Sequence, residues 1–254
     1  MSPVKSRLTR VGTTLLLASL LGACASIPED QRTDSDPWEP LNRSIHGFNT
    51  AFDNVTLKPV AKGYEAVVPS PARTGIRNFF NNLMTPQSAL FHFLQGKPSG
   101  GFTELARFAF NSTVGIGGLF DVATAGGLEV RSEDIGQTAA VWGVPAGPYV
   151  VLPFLGPHTL RDAILRPFAI SYLLYTYDNT SVRDKLQVLR IIDLRARLLA
   201  VDEMLENSKD PYITLRESYL QNREYEVYDG YPPEDDAFLD EFLEDEAFEE
   251  GGSN

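Results

Sequence analysis

The sequence predicts a mainly helical domain, on three observations. Helix-start signals recur along the chain, apolar residues return at three- and four-residue steps, and period-2 alternation is almost absent. The 254 residues supply at least one sizeable core. A hydrophobic content of 43% excludes a chain disordered throughout. The formal net charge is −12, but residues 232–254 hold ten acids and no base, so the body 24–231 stands near −5. That sign repels a phosphate backbone, which excludes nucleic acid as a main partner. Cys24 is the only cysteine, which excludes an internal disulfide and a multi-cysteine metal cluster.

Residues 1–23 read as an address. Lys5, Arg7 and Arg10 form a positive head, and Val11 to Ala23 is uncharged. That run of about thirteen residues matches a secretory signal and is too short for a membrane span, which needs roughly twenty. It ends Leu21-Gly22-Ala23-Cys24, which resembles the bacterial lipoprotein box, so Cys24 is expected to carry a thioether-linked diacylglycerol. Two or more acyl chains hold a protein stably on a membrane, each buried methylene adding about 0.8 kcal/mol. Ala25 and Ser26 follow, neither being the aspartate associated with inner-membrane retention, so the periplasmic face of a Gram-negative outer membrane is favoured. Residues 24–37, polar and with Pro28 and Pro37, read as a tether.

A helical domain is expected over 38–228. Asp36-Pro37-Trp38-Glu39 has the pattern of an N-cap followed by proline at the first helical position, and Asp210-Pro211-Tyr212 repeats it, opening a helix to about Glu224. Ser181-Val182-Arg183-Asp184 has capping-box spacing. Beyond it Leu186, Leu189, Ile192, Ala196 and Leu199 predict one amphipathic helix to about Glu206. Only Tyr149–Leu152, between Pro148 and Pro153, has strand composition.

The middle of the chain departs from soluble norms. Phe79, Phe80, Phe91, Phe93, Phe102, Phe108, Phe110 and Phe120 fall within 79–120. Residues 79–128 hold four charges, Lys97, Glu104, Arg107 and Asp121, where an overall 22% predicts about eleven. A second such stretch is Ile164–Thr176. An ordinary buried core and a lipid-facing surface are both open readings, but helices apolar nearly all round need a large core or lipid. A helix from Thr103 to Thr113 is about 16 Å long against a hydrocarbon core of about 30 Å, so it fills one leaflet and crosses no bilayer.

Catalytic signatures are missing. His46, His92 and His158 lack metal-ligand spacing, and no metal or cofactor is expected. Gly115-Ile116-Gly117-Gly118-Leu119-Phe120 begins like a dinucleotide fingerprint without its last glycine or a preceding strand. Ser99 has no evident base, and Glu133/Asp134 read as helix N-terminal charge. The chain is therefore expected to bind or conduct.

An ordered set of motifs supports a more specific reading. Asp36-Pro37-Trp38-Glu39, Asn42-Arg43, Phe48-Asn49 and Asp53 open it; Pro71-Ala72-Arg73, Asn78-Phe79 and Leu94-Gln95-Gly96 follow. Then come Arg107-Phe108, Asn111 through Ala123, Gly136-Gln137-Thr138, Trp142-Gly143-Val144 and Gly147-Pro148-Tyr149 through Phe154. Leu160-Arg161-Asp162, Arg195-Ala196 and Ser208-Lys209-Asp210-Pro211-Tyr212 complete it. From residue 14 to about 225 the chain resembles the MlaA/VacJ family of outer-membrane phospholipid-transport lipoproteins.

The resemblance implies an all-helical ring lying in one leaflet of the outer membrane around an amphipathic channel. It implies association with a trimeric porin, removal of mislocalised phospholipid from the outer leaflet, and delivery to a soluble periplasmic lipid carrier. A charged head group entering hydrocarbon is costly, and a polar-lined hole lowers that cost. On that reading the Phe-rich helices and 164–175 face lipid. Gly115, Gly117 and Gly118 permit close backbone approach or a mobile loop near the channel, or form a plain turn. Asn42, Arg43 and Asn49, and with them Phe48, Pro148, Tyr149, Asp210, Pro211 and Tyr212, are read as structural, head-group contact being the alternative for the first three. The 181–206 helix lines the channel or bridges to the porin. The acidic tail, 229–254, is a departure from the family and is read as solvated, with a basic protein partner as the alternative. Competing classes are an envelope lipase using Ser99 or Ser112 and a structural tether.

Overall fold

The computed structural model describes residues 35–168 and 180–233. The acylation box at Cys24, residues 24–34 of the tether, residues 169–176 of the second apolar stretch and the tail beyond 233 lie outside them. Helices dominate, as expected. α1 (Glu39–Val55) and α2 (Leu57–Val67) are followed by the long α3 (Ser70–Leu94) and by α4 (Pro98–Thr113). Short helices α5 (Val122–Ala125) and α6 (Ile135–Val141) lead to an antiparallel hairpin of β1 (Tyr149–Leu152) and β2 (Gly156–Thr159). α7 (Leu160–Leu165) follows the hairpin, and α8 (Thr180–Arg197), α9 (Leu199–Glu206) and α10 (Pro211–Val227) complete the domain.

The local signals are met unevenly. Asp210 caps α10, its carboxylate accepting from the Tyr212 and Ile213 backbone N–H groups. Asp134 caps α6 in a full capping box with Gln137, whereas its neighbour Glu133 is buried and pairs with Lys97 at 3.1 Å. Asp36 is a correction. Trp38, not Asp36, precedes α1, and the Asp36 carboxylate is drawn inward to Asn42, the Tyr212 hydroxyl and Arg216. Asp36, inside the stretch expected as a tether, is only 1% exposed. Asp229, inside the stretch expected as a solvated tail, pairs with Lys97 at 2.6 Å. Ser181 lies inside α8, not in front of it. The expected 181–206 helix is two helices, interrupted by a turn at Leu198 (φ −83°, ψ −4°).

α3 also revises the length argument. Its 25 residues span about 38 Å, more than a hydrocarbon core. Composition prevents it from crossing: no described helix is long and apolar enough to span a membrane. α4 has 16 residues, starting at Pro98 rather than Thr103, and is about 24 Å long. It folds back on α3 through a turn at Gly96 (φ +73°). Gly100 and Gly101 let the helices touch: a Cβ at either would lie 2.5 Å from the His92 ring or 2.7 Å from the Phe93 ring.

The interior is unusual. Among the described residues the buried apolar side chains number ten, five of them alanines and only three forming a cluster, Tyr149, Val151 and Tyr212. Eighteen buried residues are polar or charged. The charges are matched in groups. Arg223 reaches Asp162 and Asp134 at 2.7 and 2.8 Å, and Gly136 makes room for them, since a Cβ there would sit 2.2 Å from Asp162 Oδ1. Arg107 forks onto Asp121 (3.1 and 3.2 Å) and also donates to the Leu128 carbonyl. Burial pushes the Asp162 carboxyl up, but Arg223 and Arg161 outweigh it and hold it below the usual carboxylate range. Large apolar side chains, by contrast, are exposed on nearly every element.

Candidate functional site

A cavity of about 500 Å³ opens between α1, the start of α2, the hairpin turn, the end of α8, α9 and the start of α10. That size is typical of small-molecule sites. Its walls are apolar on one side, with Phe52, Leu57, Phe154, Leu155, Val201 and Leu205. Phe154 turns the hairpin with a positive φ of 63°, and its ring meets Phe48 and Phe52 edge-on at 5.2 and 5.0 Å. Asn49 fixes that turn, donating to the Leu152 carbonyl (2.9 Å) and accepting from the Phe154 backbone N–H (2.8 Å).

The other end is charged. Arg195 donates Nε and Nη2 to Asp53 at 2.8 Å each, and Nη2 also to Asp202 at 2.7 Å. Lys58 joins Asp202 (3.1 Å) to Glu206 (2.9 Å), whose side chain is 69% exposed at the rim. Hydrogen bonding to Asp53 raises the Arg195 pKa further above its ordinary value, so the guanidinium stays charged. His46, also in the wall, is pushed down by burial and by Arg43 nearby, and is neutral at pH 7. One hollow thus offers oil on one wall and a short chain of ions on the other. The α8–α9 break at Leu198 positions both, Arg195 coming from the first helix and Val201, Asp202 and Leu205 from the second.

The expected site residues fall elsewhere. Phe102, Phe110 and Phe120 are 66%, 52% and 58% exposed, and Phe93 meets Phe102 edge-on at 5.3 Å across α3 and α4. Phe79 and Phe108 are half-buried, whereas Phe80 and Phe91 are buried and present no surface to lipid. On α4 the inward stripe is Gly100, Glu104, Arg107 and Asn111, at helical spacing, with the phenylalanines outward. Gly115, Gly117 and Gly118 form a tight turn packed on α3. A Cβ at Gly115 would meet the Phe120 carbonyl at 2.2 Å, Gly117 has φ +68°, and a Cβ at Gly118 would meet Asn82 at 2.5 Å. None of these phenylalanines or glycines lines the cavity.

The other signature residues hold the frame together. Asn42 donates to Asp36 and the Tyr149 carbonyl and accepts from the Val151 N–H, tying α1 to β1. Arg43 bridges Glu39 and Asp210 and stacks over the Tyr212 ring at 4.4 Å. Phe48 is exposed beside the cavity mouth, Asn49 and Pro211 line it, and Pro148 precedes β1, its carbonyl accepting from the Leu160 N–H. Asp53, Lys58, Arg195, Asp202 and Glu206 were given no role by the sequence, although Asp53 and Arg195 stand in the quoted motifs.

The remaining candidates are occupied structurally. His92 Nε2 donates to the Arg131 carbonyl at 2.7 Å, and Ser112 accepts from Asn82 at 2.9 Å. Among the described residues no group of three or more His, Cys, Asp or Glu side chains is placed to hold a metal.

The chain resembles known proteins closely. Residues 34–226 match the model of the MlaA lipoprotein family. The intermembrane phospholipid transport system lipoprotein MlaA of Escherichia coli (strain K12) is 37% identical over 219 residues, 85% of each chain. The protein of that name from Haemophilus influenzae is 34% identical over 227 residues, covering 86% of this chain and 90% of its own. A chain solved in work on the structural basis for maintenance of bacterial outer membrane lipid asymmetry superposes with a TM-score of 0.65 at 38% identity, over 76% of this chain and 99% of that one. The reach of these matches, from the buried Asp36 to the end of α10, shows that this chain belongs to the MlaA lipoprotein family.

Proposed function

We propose that the protein is a lipoprotein of the Gram-negative outer membrane that passively takes mislocalised phospholipid from the outer leaflet and maintains lipid asymmetry. The observation that carries this reading is the amphipathic cavity set in a domain whose outside is greasy and whose inside is charged. Exposed Phe102, Phe110, Phe120 and Trp142 suit hydrocarbon better than water. A hollow with apolar walls and an ionic end suits a molecule with acyl chains and a polar head. The relatives named as phospholipid-transport lipoproteins support the same reading.

In this scheme residues 1–23 are the signal removed in export and Cys24 carries the acyl anchor, holding the domain on the periplasmic face. Lipid passes through a ring of helices in one leaflet, the protein docks on a trimeric porin, and lipid leaves with a soluble periplasmic carrier. The test labels outer-leaflet phospholipid in a deletion strain complemented with the chain or with Cys24→Ala. Surface phospholipid should rise on deletion and fall again only with the intact chain. Unchanged surface phospholipid after deletion would overturn the proposal.

A further inference from the structure

The cavity mouth carries a residue in a conformation that its type avoids. Leu152, Pro153, Phe154 and Leu155 form the hairpin turn, closed by the Leu155 N–H donating to the Leu152 carbonyl at 3.2 Å. Proline at the second position and a positive φ at the third (Phe154, 63°) are the pattern of a type II turn, whose third position belongs to glycine or asparagine. A phenylalanine there holds a left-handed backbone against its own Cβ. Such strain persists only where neighbours enforce it. Asn49 does so from α1, donating to the Leu152 carbonyl at 2.9 Å and accepting from the Phe154 N–H at 2.8 Å. Burial does not offset the strain, since Phe154 stays 61% exposed.

The ring nevertheless has a fixed place. It meets Phe48 and Phe52 edge-on, at 5.2 and 5.0 Å, and those two rings stack on each other at 6.4 Å along α1. Together they carry the apolar wall of the cavity, which includes Phe52, Leu155 and Leu205, out to its open mouth. No phenylalanine has a polar atom to offer a head group, so what these rings can hold is an aliphatic chain.

We infer that Phe154 positions the acyl chain at the cavity mouth, its ring preset against Phe48 and Phe52 by a strained turn; this rests on the reading of the cavity as a phospholipid passage. A ring already in place loses little further freedom when the chain arrives, which favours binding. Glycine at this position would relax the backbone and leave the chain without its contact. The turn thus gives up stability for lipid contact, the exchange that functional positions recurrently show.

The experiment loads the full-length lipidated protein, in detergent, with phosphatidylethanolamine carrying a photoactivatable diazirine on one acyl chain. After repurification and illumination, retained lipid and labelled peptides are read by mass spectrometry. Label should fall on the peptides that hold Phe154 and Phe48 to Phe52. Phe154→Gly and Phe154→Asn should raise the unfolding temperature by roughly 2–4 °C, the size of shift that relief of one strained residue gives in a domain of this length. The same variants should lower retained lipid about tenfold, which at about 1.4 kcal/mol is the low end of burying a phenylalanine ring. Phe154→Tyr keeps both ring and strain and should match the parent in each measurement. Label confined to other peptides, lipid retention unmoved in Phe154→Gly, or a fall in that variant's unfolding temperature would overturn the assignment while leaving lipid binding in place. A folded parent protein retaining no lipid would remove the reading beneath it.

Discussion

The α3–α4 hairpin and the body formed by α1, the β-hairpin and α10 invert each other. In the body, Tyr149, Val151 and Tyr212 pack together and an ion cluster closes over them. In the hairpin polar contacts lie inside, with Asn82 bonded to Ser112 and Arg107 to Asp121, while Phe93, Phe102 and Phe110 are exposed and only Phe80 and Phe91 are buried. Hydrogen bonds and close glycine contacts join the two helices where an ordinary core would do so. Such an element is stable when its outer face meets hydrocarbon, because polar contacts then hold it from within while lipid covers the rest.

Four measurements break or sharpen that contrast. Arg223→Leu takes the partner from Asp162, whose side chain is only 10% exposed, and from the more exposed Asp134, and should cost about 3–5 kcal/mol of stability, read by thermal unfolding in detergent. Membrane partition should be spared in whatever fraction stays folded. Phe102→Ser with Phe110→Ser should do the reverse. Unfolding should change little, while partition into vesicles weakens by on the order of 3 kcal/mol, read by flotation of the delipidated protein. A large loss of unfolding temperature in that double variant would mean these rings are core after all.

Gly136→Ala is smaller. It forces Asp162 and Arg223 apart and should cost about 1–3 kcal/mol, with no change in vesicle binding. The least effect is pH-dependent. Burial lowers the His158 pKa, and its Nε2 accepts from Arg166 at 2.7 Å. The unfolded chain therefore takes up that proton first as pH falls. The His158 contribution is full above its ordinary value of 6.5 and is lost as pH drops from there through the folded pKa. His158→Gln should flatten the stability slope below pH 6.5 by under about 1 kcal/mol per pH unit, measured against the parent protein.

Much of the helical frame was legible because its signals are local. Asp210-Pro211 caps α10 as written, and Tyr149–Leu152 is a strand. Its partner was not legible, since Gly156-Pro157-His158-Thr159 has no strand composition and pairs only because Phe154 and Asn49 fix the turn. Asp36 misleads for a related reason: its sequence context is that of a cap, but Tyr212 and Arg216 compete for the carboxylate from far along the chain. The cavity was hidden by the same distance. Asp53 and Arg195 stand 142 positions apart, and nothing periodic joins them. Phenylalanine content indicated an unusual surface, but which rings face outward depends on the inward polar stripe of α4.

The Asp36 cluster also orders events in time. Its carboxylate precedes α1, and its partners Tyr212 and Arg216 belong to α10. A chain emerging from its amino terminus holds half of this clasp until α10 arrives, so closure is a late, all-or-none step. A truncation before residue 212 should leave a string of collapsed helices that no protease spares.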